Sequence, residues 1–193
     1  IHAVTIGSGK ARDVLRTALA KGADTSVLVD TGKRHLEPLA VSKILQKIQK
    51  EQKSNLIIMG KQAIDDDAGQ TGQMLAGLLG WSQATNASRV KINDDLTVEV
   101  DQEIDGGIRT VKAPLPMVIT TDLRLNTPKF VPLPKMMKAK RKPLEVIKAE
   151  DLGINIKDRL ETVSLQEPSV RKAGVKVGSV DELITKMKEL KAI

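Results

Sequence analysis

The residues best placed to do chemistry lie in one polar stretch, Gly60-Lys61-Gln62-Ala63-Ile64-Asp65-Asp66-Asp67-Ala68-Gly69-Gln70-Thr71-Gly72-Gln73-Met74. It follows the apolar run Leu56-Ile57-Ile58-Met59 and leads into Leu75-Ala76-Gly77-Leu78-Leu79, which reads as a helix. A buried strand, a glycine-bearing loop and a helix start together suit a phosphate. The first-turn amides lack intrahelical partners, and the helix dipole is positive at that end. Thr71 is predicted to cap the helix. Three consecutive carboxylates would repel a phosphate, so Asp65, Asp66 and Asp67 are expected to turn towards backbone amides or a ribose hydroxyl. A capped surface loop with a solvated acidic run is the commoner outcome of such a pattern. Neither a Walker A pattern nor GxGxxG is present. A Mg²⁺ site on the aspartates ranks below a polar clasp, because hard-metal sites usually gather ligands from further apart.

The rest of the composition excludes much. There is no cysteine and no tyrosine, so thiolate metal sites, disulfides and phenolic acid–base chemistry are ruled out. His2 and His35 are the only histidines. His2 opens a strand and reads as structural; His35, beside Lys33-Arg34, reads as solvated. No acid–base or nucleophile constellation is visible. One Trp and one Phe leave little with which to stack bases, so a single-strand or RNA-binding surface is not expected. No apolar run approaches a membrane span, and no signal or transit peptide is visible.

The net charge of +7 is local. Between Thr121 and Lys148 there are eight basic and two acidic side chains, so +6 of it lies there. Thr121–Pro143 has four prolines and little periodicity, and reads as a long loop with one helical turn at Lys135–Lys140. A solvated loop, a nucleic-acid or nuclear signal, and a protein-docking loop all fit its composition. Leu133, Met136 and Met137 among the charges favour docking, since small transient interfaces use an apolar anchor with a polar rim.

These stretches need a scaffold. Ile1–Ile6 reads as a strand, Gly7-Ser8-Gly9 as a turn with Ser8 as N-cap, and Lys10–Lys21 as a helix ended by Gly22. Ser26–Val29 is a second strand, Pro38 starts a second helix, and Leu56–Met59 is a third strand. This alternation implies one parallel sheet with the ligand at its carboxyl edge, where Gly7 and Gly60 both fall. Ala87–Ile92, Leu96–Ile104 and Ile108–Ala113 read as antiparallel strands around tight turns, and Met117–Thr120 as a short buried strand. The fold class is therefore α/β, Rossmann-like on a flavodoxin-like plan, with a mostly parallel sheet, an added antiparallel hairpin and a C-terminal arm. Residues 1–148 form the domain and carry the loop 121–143. Residues 149–193 form an arm too poor in apolar residues for its own core, closing with a helix from Ser179 to Leu190. The arm is expected to pack on a partner subunit.

The run Gly60–Met74 resembles the electron transfer flavoprotein beta subunit. So do Arg16-Thr17-Ala18-Leu19-Ala20 with Gly22-Ala23-Asp24, Glu103-Ile104-Asp105-Gly106-Gly107, Thr121-Asp122-Leu123-Arg124-Leu125-Asn126, Met137-Lys138-Ala139-Lys140 and Ala173-Gly174-Val175-Lys176-Val177. The match runs in order through nearly the whole sequence, and implies that Ile1 falls inside the family's chain. The resemblance implies a non-enzymatic electron carrier in a heterodimer with an alpha subunit. A structural AMP would be held by Ile6 and by Gly60, Lys61, Gln62, Ala63, Ile64, Asp65, Asp66, Asp67, Ala68, Gly69, Gln70 and Thr71. Ala68-Gly69 replaces a bulkier pair ending in Asn, leaving a backbone contact at 69. FAD would be held mainly by the alpha subunit.

The loop would recognise acyl-CoA dehydrogenases through Leu133, the anchor, with Lys135, Met136, Met137, Lys138, Lys140 and Arg141, and with Lys142 among the steering charges. Lys138 matches a methylated lysine; Arg141 stands at the second such position. Electrons would pass to a membrane quinone oxidoreductase, without nucleic-acid binding or membrane insertion of this chain. The location implied is the mitochondrial matrix, or the cytoplasm for a bacterial member. A stand-alone adenine-nucleotide-binding protein of the universal-stress type, and a nucleic-acid-binding module, are the competing readings.

Overall fold

The computed structural model describes residues 1–32, 34, 36–157, 159–171 and 173–192. A first compact unit spans Ile1–Arg159 and a second Leu160–Ile193.

The first unit opens with strand β1 (His2–Gly7), a short 3₁₀ turn, helix α1 (Arg12–Lys21) and strand β2 (Thr25–Asp30). Ser8 makes no side-chain cap. Gly22 ends α1 at a φ of 133°, a conformation that favours glycine. Helix α2 (Pro38–Gln52) starts with proline in its first turn, where a missing amide costs nothing. Strand β3 (Leu56–Gly60), helix α3 (Thr71–Leu79) and strands β4 (Ser82–Ile92), β5 (Thr97–Ile104), β6 (Gly107–Pro114) and β7 (Met117–Thr121) follow. Helix α4 (Leu133–Ala139) and strand β8 (Leu144–Lys148) complete the regular elements of this unit.

The fold is α/β and Rossmann-like, but the single parallel sheet expected from the strand–helix alternation is two sheets. One is β1-β2-β8, all parallel; the other is β3-β7-β4-β5-β6, parallel through β4 and antiparallel beyond it. β3 does not pair with β1 or β2; its partner is β7, whose Met117-Val118-Ile119-Thr120 run is buried on both faces. A strand apolar on both faces demands cover from both sides and takes an inner position. β8, unforeseen in the sequence, lies against β2 in the same way. Helix α2 covers both sheets: Ala40, Ile44 and Ile48 pack with Val27 and Val29, while Leu45 joins Leu75, Ala76 and Val118.

Two side-chain bonds tie α2 to α3. The Ser42 hydroxyl, fully buried, lies 2.8 Å from the carbonyls of both Pro38 and Thr71, and the Gln46 amide donates to the Leu78 carbonyl at 2.6 Å. The compact unit continues past the expected 148/149 division. Ala149 and Ile156 are buried in the cluster beneath α2, and the unit ends at Arg159.

In the second unit, helix α5 (Val180–Glu189) agrees with the sequence reading. Ser179 caps it by accepting from the Glu182 amide at 3.2 Å, and the Glu182 carboxylate accepts from the Gly178 amide at 2.8 Å. None of its residues is buried. Val163, Leu165 and Val170 are each more than nine-tenths exposed, so this unit has no core of its own among its described residues.

Two glycines of α3 make a test of how it is seated. A Cβ on Gly72 would lie 2.2 Å from the Thr120 methyl and 3.4 Å from the Met59 sulfur, whereas one on Gly77 would meet nothing within 4 Å. Gly72→Ala should destabilise by about 1–3 kcal/mol through overpacking. Gly77→Ala, on the exposed side, should stabilise by about 0.5–1 kcal/mol through helix propensity. Denaturant unfolding of the two variants should give shifts of opposite sign.

Candidate functional site

The carboxyl ends of β1 and β3 open into one cleft of about 430 Å³, a volume within the range small ligands use. From β1 come Ile6 and Gly7; from the connection before α2 come Thr31, Arg34 and Leu36, and from the start of α2 Pro38 and Val41; from β3 and the following stretch come Met59 through Ala63, Asp65, Asp66 and Ala68 through Thr71. Strand residues supply the apolar back of the cleft, and the loop supplies its polar rim.

The structure thus brings together all but two of the thirteen predicted positions, Ile6 and Gly60 to Thr71. Ile64 points fully into solvent. Asp67 turns inside the loop, where its carboxylate accepts from the Gln62 amide nitrogen and its backbone takes a φ of 53°. The acidic run behaves as its repulsion of anions requires. Asp65 accepts from the Asp66 amide at 3.0 Å, and Asp66 from the Ala68 amide at 3.2 Å. These short turns hold the loop's shape and occupy carboxylate oxygens with backbone donors. Gly69, at φ 58°, completes the turn into α3.

Thr71 is not the cap of α3. It is the first helical residue; the capping position is Gln70, and no side chain caps this helix end. Thr71 instead offers its carbonyl to Ser42. The seat that Gly72 provides against β7 fixes the uncapped helix start at the rim of the cleft.

Thr31, Arg34 and Leu36 of the connection, and Pro38 and Val41 of α2, were missed as cleft lining, because they are polar or single apolar positions without a motif. Only their place after a strand, on the carboxyl edge, could have flagged them. Arg34 and Lys61 are the cationic side chains among the described lining residues. Lys61 is already engaged: its amine meets the Asp122 carboxylate at 2.6 Å, and Asp122 has only 7% of its side chain exposed. That contact holds the Asp122 carboxyl below the usual carboxylate range. His2 lies on β1, 2.6 Å from the Thr25 hydroxyl, and burial lowers its pKa. His35 lies outside the described residues. Among the described residues, no group of three or more His, Cys, Asp or Glu is arranged to hold a metal.

The second predicted region forms a separate surface. Residues 122–132 are irregular and lead into α4. Leu133, Lys135, Met136, Met137, Lys138, Lys140 and Arg141 are all exposed, with Leu133 71% exposed. Only Ala139 turns inwards, against Leu19, Ala20 and Ala23. Arg16 on α1 donates to the carbonyls of Ala139 and Lys142, both at 2.9 Å, and so holds the end of α4. Lys142 is not a steering charge. Its amine donates to the carbonyls of Leu19 and Ala23 at the end of α1, where a cation also meets the negative end of the helix dipole. Phe130 was missed. It is 90% exposed just before α4, and its signal was being the sole phenylalanine, set between two prolines among cations.

Residues 1–152 match the family described as "Electron transfer flavoprotein domain". The chain is 58% identical to the "Probable electron transfer flavoprotein subunit beta" of Saccharomyces cerevisiae, covering 100% of this chain and 75% of that one. It is 51% identical to the "Electron transfer flavoprotein subunit beta, mitochondrial" of Arabidopsis thaliana, over 97% of this chain and 75% of the relative. With the "Electron transfer flavoprotein subunit beta" of Bos taurus the identity is 47%, over 98% and 75%.

Proposed function

The chain belongs to the electron transfer flavoprotein family as one of its beta subunits, and from that premise we propose that it clasps AMP in the cleft and docks acyl-CoA dehydrogenases through the loop 121–143. It is an electron-carrier subunit rather than an enzyme, and its family pairs it with an alpha subunit. FAD, held mainly by the alpha subunit, supplies the redox chemistry when bound, and the electrons go on to a membrane quinone oxidoreductase. Among the described residues, no helix is long and apolar enough to cross a membrane. For a eukaryotic chain the location is the mitochondrial matrix, in line with the Arabidopsis relative's name; for a bacterial one it is the cytoplasm.

The observation that carries the nucleotide reading is the uncapped start of α3 at the rim of a cleft with an apolar back. The first-turn amides and Arg34 suit a phosphate. Ile6, Leu36 and Val41 suit a base, and Asp65 and Asp66 suit ribose hydroxyls. Lys61 lines the cleft but its charge is paired with Asp122, which favours one phosphate group over two or three. The intact heterodimer, when denatured, should release AMP in an amount equal to the chain. Release of only a di- or triphosphate, or of nothing, would contradict the reading.

Leu133, Met136, Met137 and Phe130 form the apolar part of the docking surface, and Lys135, Lys138, Lys140 and Arg141 its rim. Desolvating one leucine contributes about 1.5–3 kcal/mol, so Leu133→Ala should weaken docking by about tenfold or more. The loss should lie in the dissociation rate at every salt concentration. Lys138→Gln should act on the association rate, chiefly at low salt, because screening limits its reach to about 8 Å at physiological ionic strength. Methylation of Lys138 would keep the charge and blunt close contact. Stopped-flow electron transfer from a reduced dehydrogenase over a salt series separates the two effects. An unchanged rate for Leu133→Ala throughout would remove the anchor.

Residues 160–192 present apolar side chains without a core beneath them, and we assign their cover to the alpha subunit. Amide exchange in this segment should slow markedly between the isolated chain and the heterodimer; equal rates in both states would count against that assignment.

A further inference from the structure

We propose that the ion pair between Lys61 and Asp122 links the cleft to the docking surface, so that nucleotide in the cleft orders the root of loop 122–132 and sets α4 for its partner. This rests on the nucleotide reading of the cleft. Lys61 and Asp122 are the first residues beyond two paired strands, β3 and β7. The Lys61 amide donates to the Thr121 carbonyl at 3.2 Å, extending the ladder, and its amine reaches Asp122 at 2.6 Å. Lys61 lines the cleft, while Asp122 starts the loop.

Asp122 makes further bonds. Its amide donates to the Ala87 carbonyl at 2.9 Å, and its second carboxylate oxygen accepts from the Arg124 amide at 3.2 Å. Beyond Leu125 the chain is held less: among the described residues, no backbone hydrogen bond anchors 126–131 before α4 begins. The loop is held by Asp122 at its root, by Val131 packed against the cluster of Leu19, Ala20, Ala23 and Ala139, and by the Arg16 bonds at the end of α4. Only the first bonds to a residue that lines the cleft, Lys61. The cleft loop itself is held by its own short turns. A bound nucleotide would add contacts to both ends of that loop and immobilise Lys61. A fixed lysine holds Asp122 more firmly than a mobile one, and the nearly buried carboxylate keeps the pair from being screened away. Lys61 and Asp122 are positioning residues in this scheme; neither need touch the dehydrogenase.

Coupling of this kind is reciprocal. Whatever factor AMP adds to docking, docking must add to AMP retention. The test uses the complete heterodimer, with and without AMP, and the Asp122→Asn and Lys61→Met variants. In the unmodified complex, AMP should slow amide exchange across 122–132 by about fivefold or more. Saturating dehydrogenase should slow AMP release by the same factor as AMP tightens docking. Asp122→Asn should lose both effects, a result that simple loosening of the fold would not produce in the release rate. If Asp122→Asn does not fold, the comparison with and without AMP in the unmodified complex decides alone. Equal exchange with and without AMP, faster exchange with it, or an effect that survives in both variants would overturn the link while leaving the cleft reading intact. A complex that neither carries nor takes up AMP would overturn both.

Discussion

Everything at the cleft depends on how closely α3 can approach β7. The Gly72 position leaves no room for a methyl group beside Thr120, so the first turn of the helix sits directly on the sheet. That contact places an uncapped helix start at the level where β1 and β3 end. A side chain at 72 would lift the helix and move Gln70 and Thr71 from the cleft that Ile6, Val41 and Met59 also line. The Ser42 and Gln46 bonds lock the same helix laterally against α2, and α2 in turn lies over both sheets. One missing Cβ therefore decides where the start of α3 sits at the cleft.

Charge is used in two distinct ways around the loop. Arg16 and Lys142 satisfy carbonyls at the ends of α4 and α1. Their positive charge is part of the scaffold, because helix ends need donors and favour cations. Lys135, Lys138, Lys140 and Arg141 stand in solvent around apolar side chains. The same residue types close together in sequence thus divide between holding the surface and presenting it. The division follows from which face of α4 turns to α1, and Ala139, the one small buried residue of that helix, marks the inward face.

The carrier-subunit role comes from the family to which the chain belongs. His2 lies on β1 beside the Thr25 hydroxyl and is not among the cleft-lining residues. What the chain presents is a cleft at the strand ends, a basic surface on α4 with exposed apolar side chains, and an arm whose apolar side chains are exposed.

The polar stretch 60–71, the strand before it and the helix after it were legible in the sequence, because short-range periodicity and turn chemistry are local properties. The same holds for α5 with its serine cap, for the tight turns of β5 and β6, and for the concentration of positive charge between 121 and 148. Several things could be settled only by the chain meeting itself. β3 chose β7 over β1, since pairing depends on which strand can be covered on both faces. β8 and the 149–159 stretch joined the first unit because Val27, Val29 and α2 needed cover there. Thr71 lost the capping role that its residue type suggested, because the backbone enters the helix one residue earlier, at Gln70. Lys61 and Asp122, sixty-one positions apart, became one ion pair through the register of two strands. Local sequence sets what each segment can be; long-range packing decides which segments lie side by side, and with it which charges are paired and which remain for a partner.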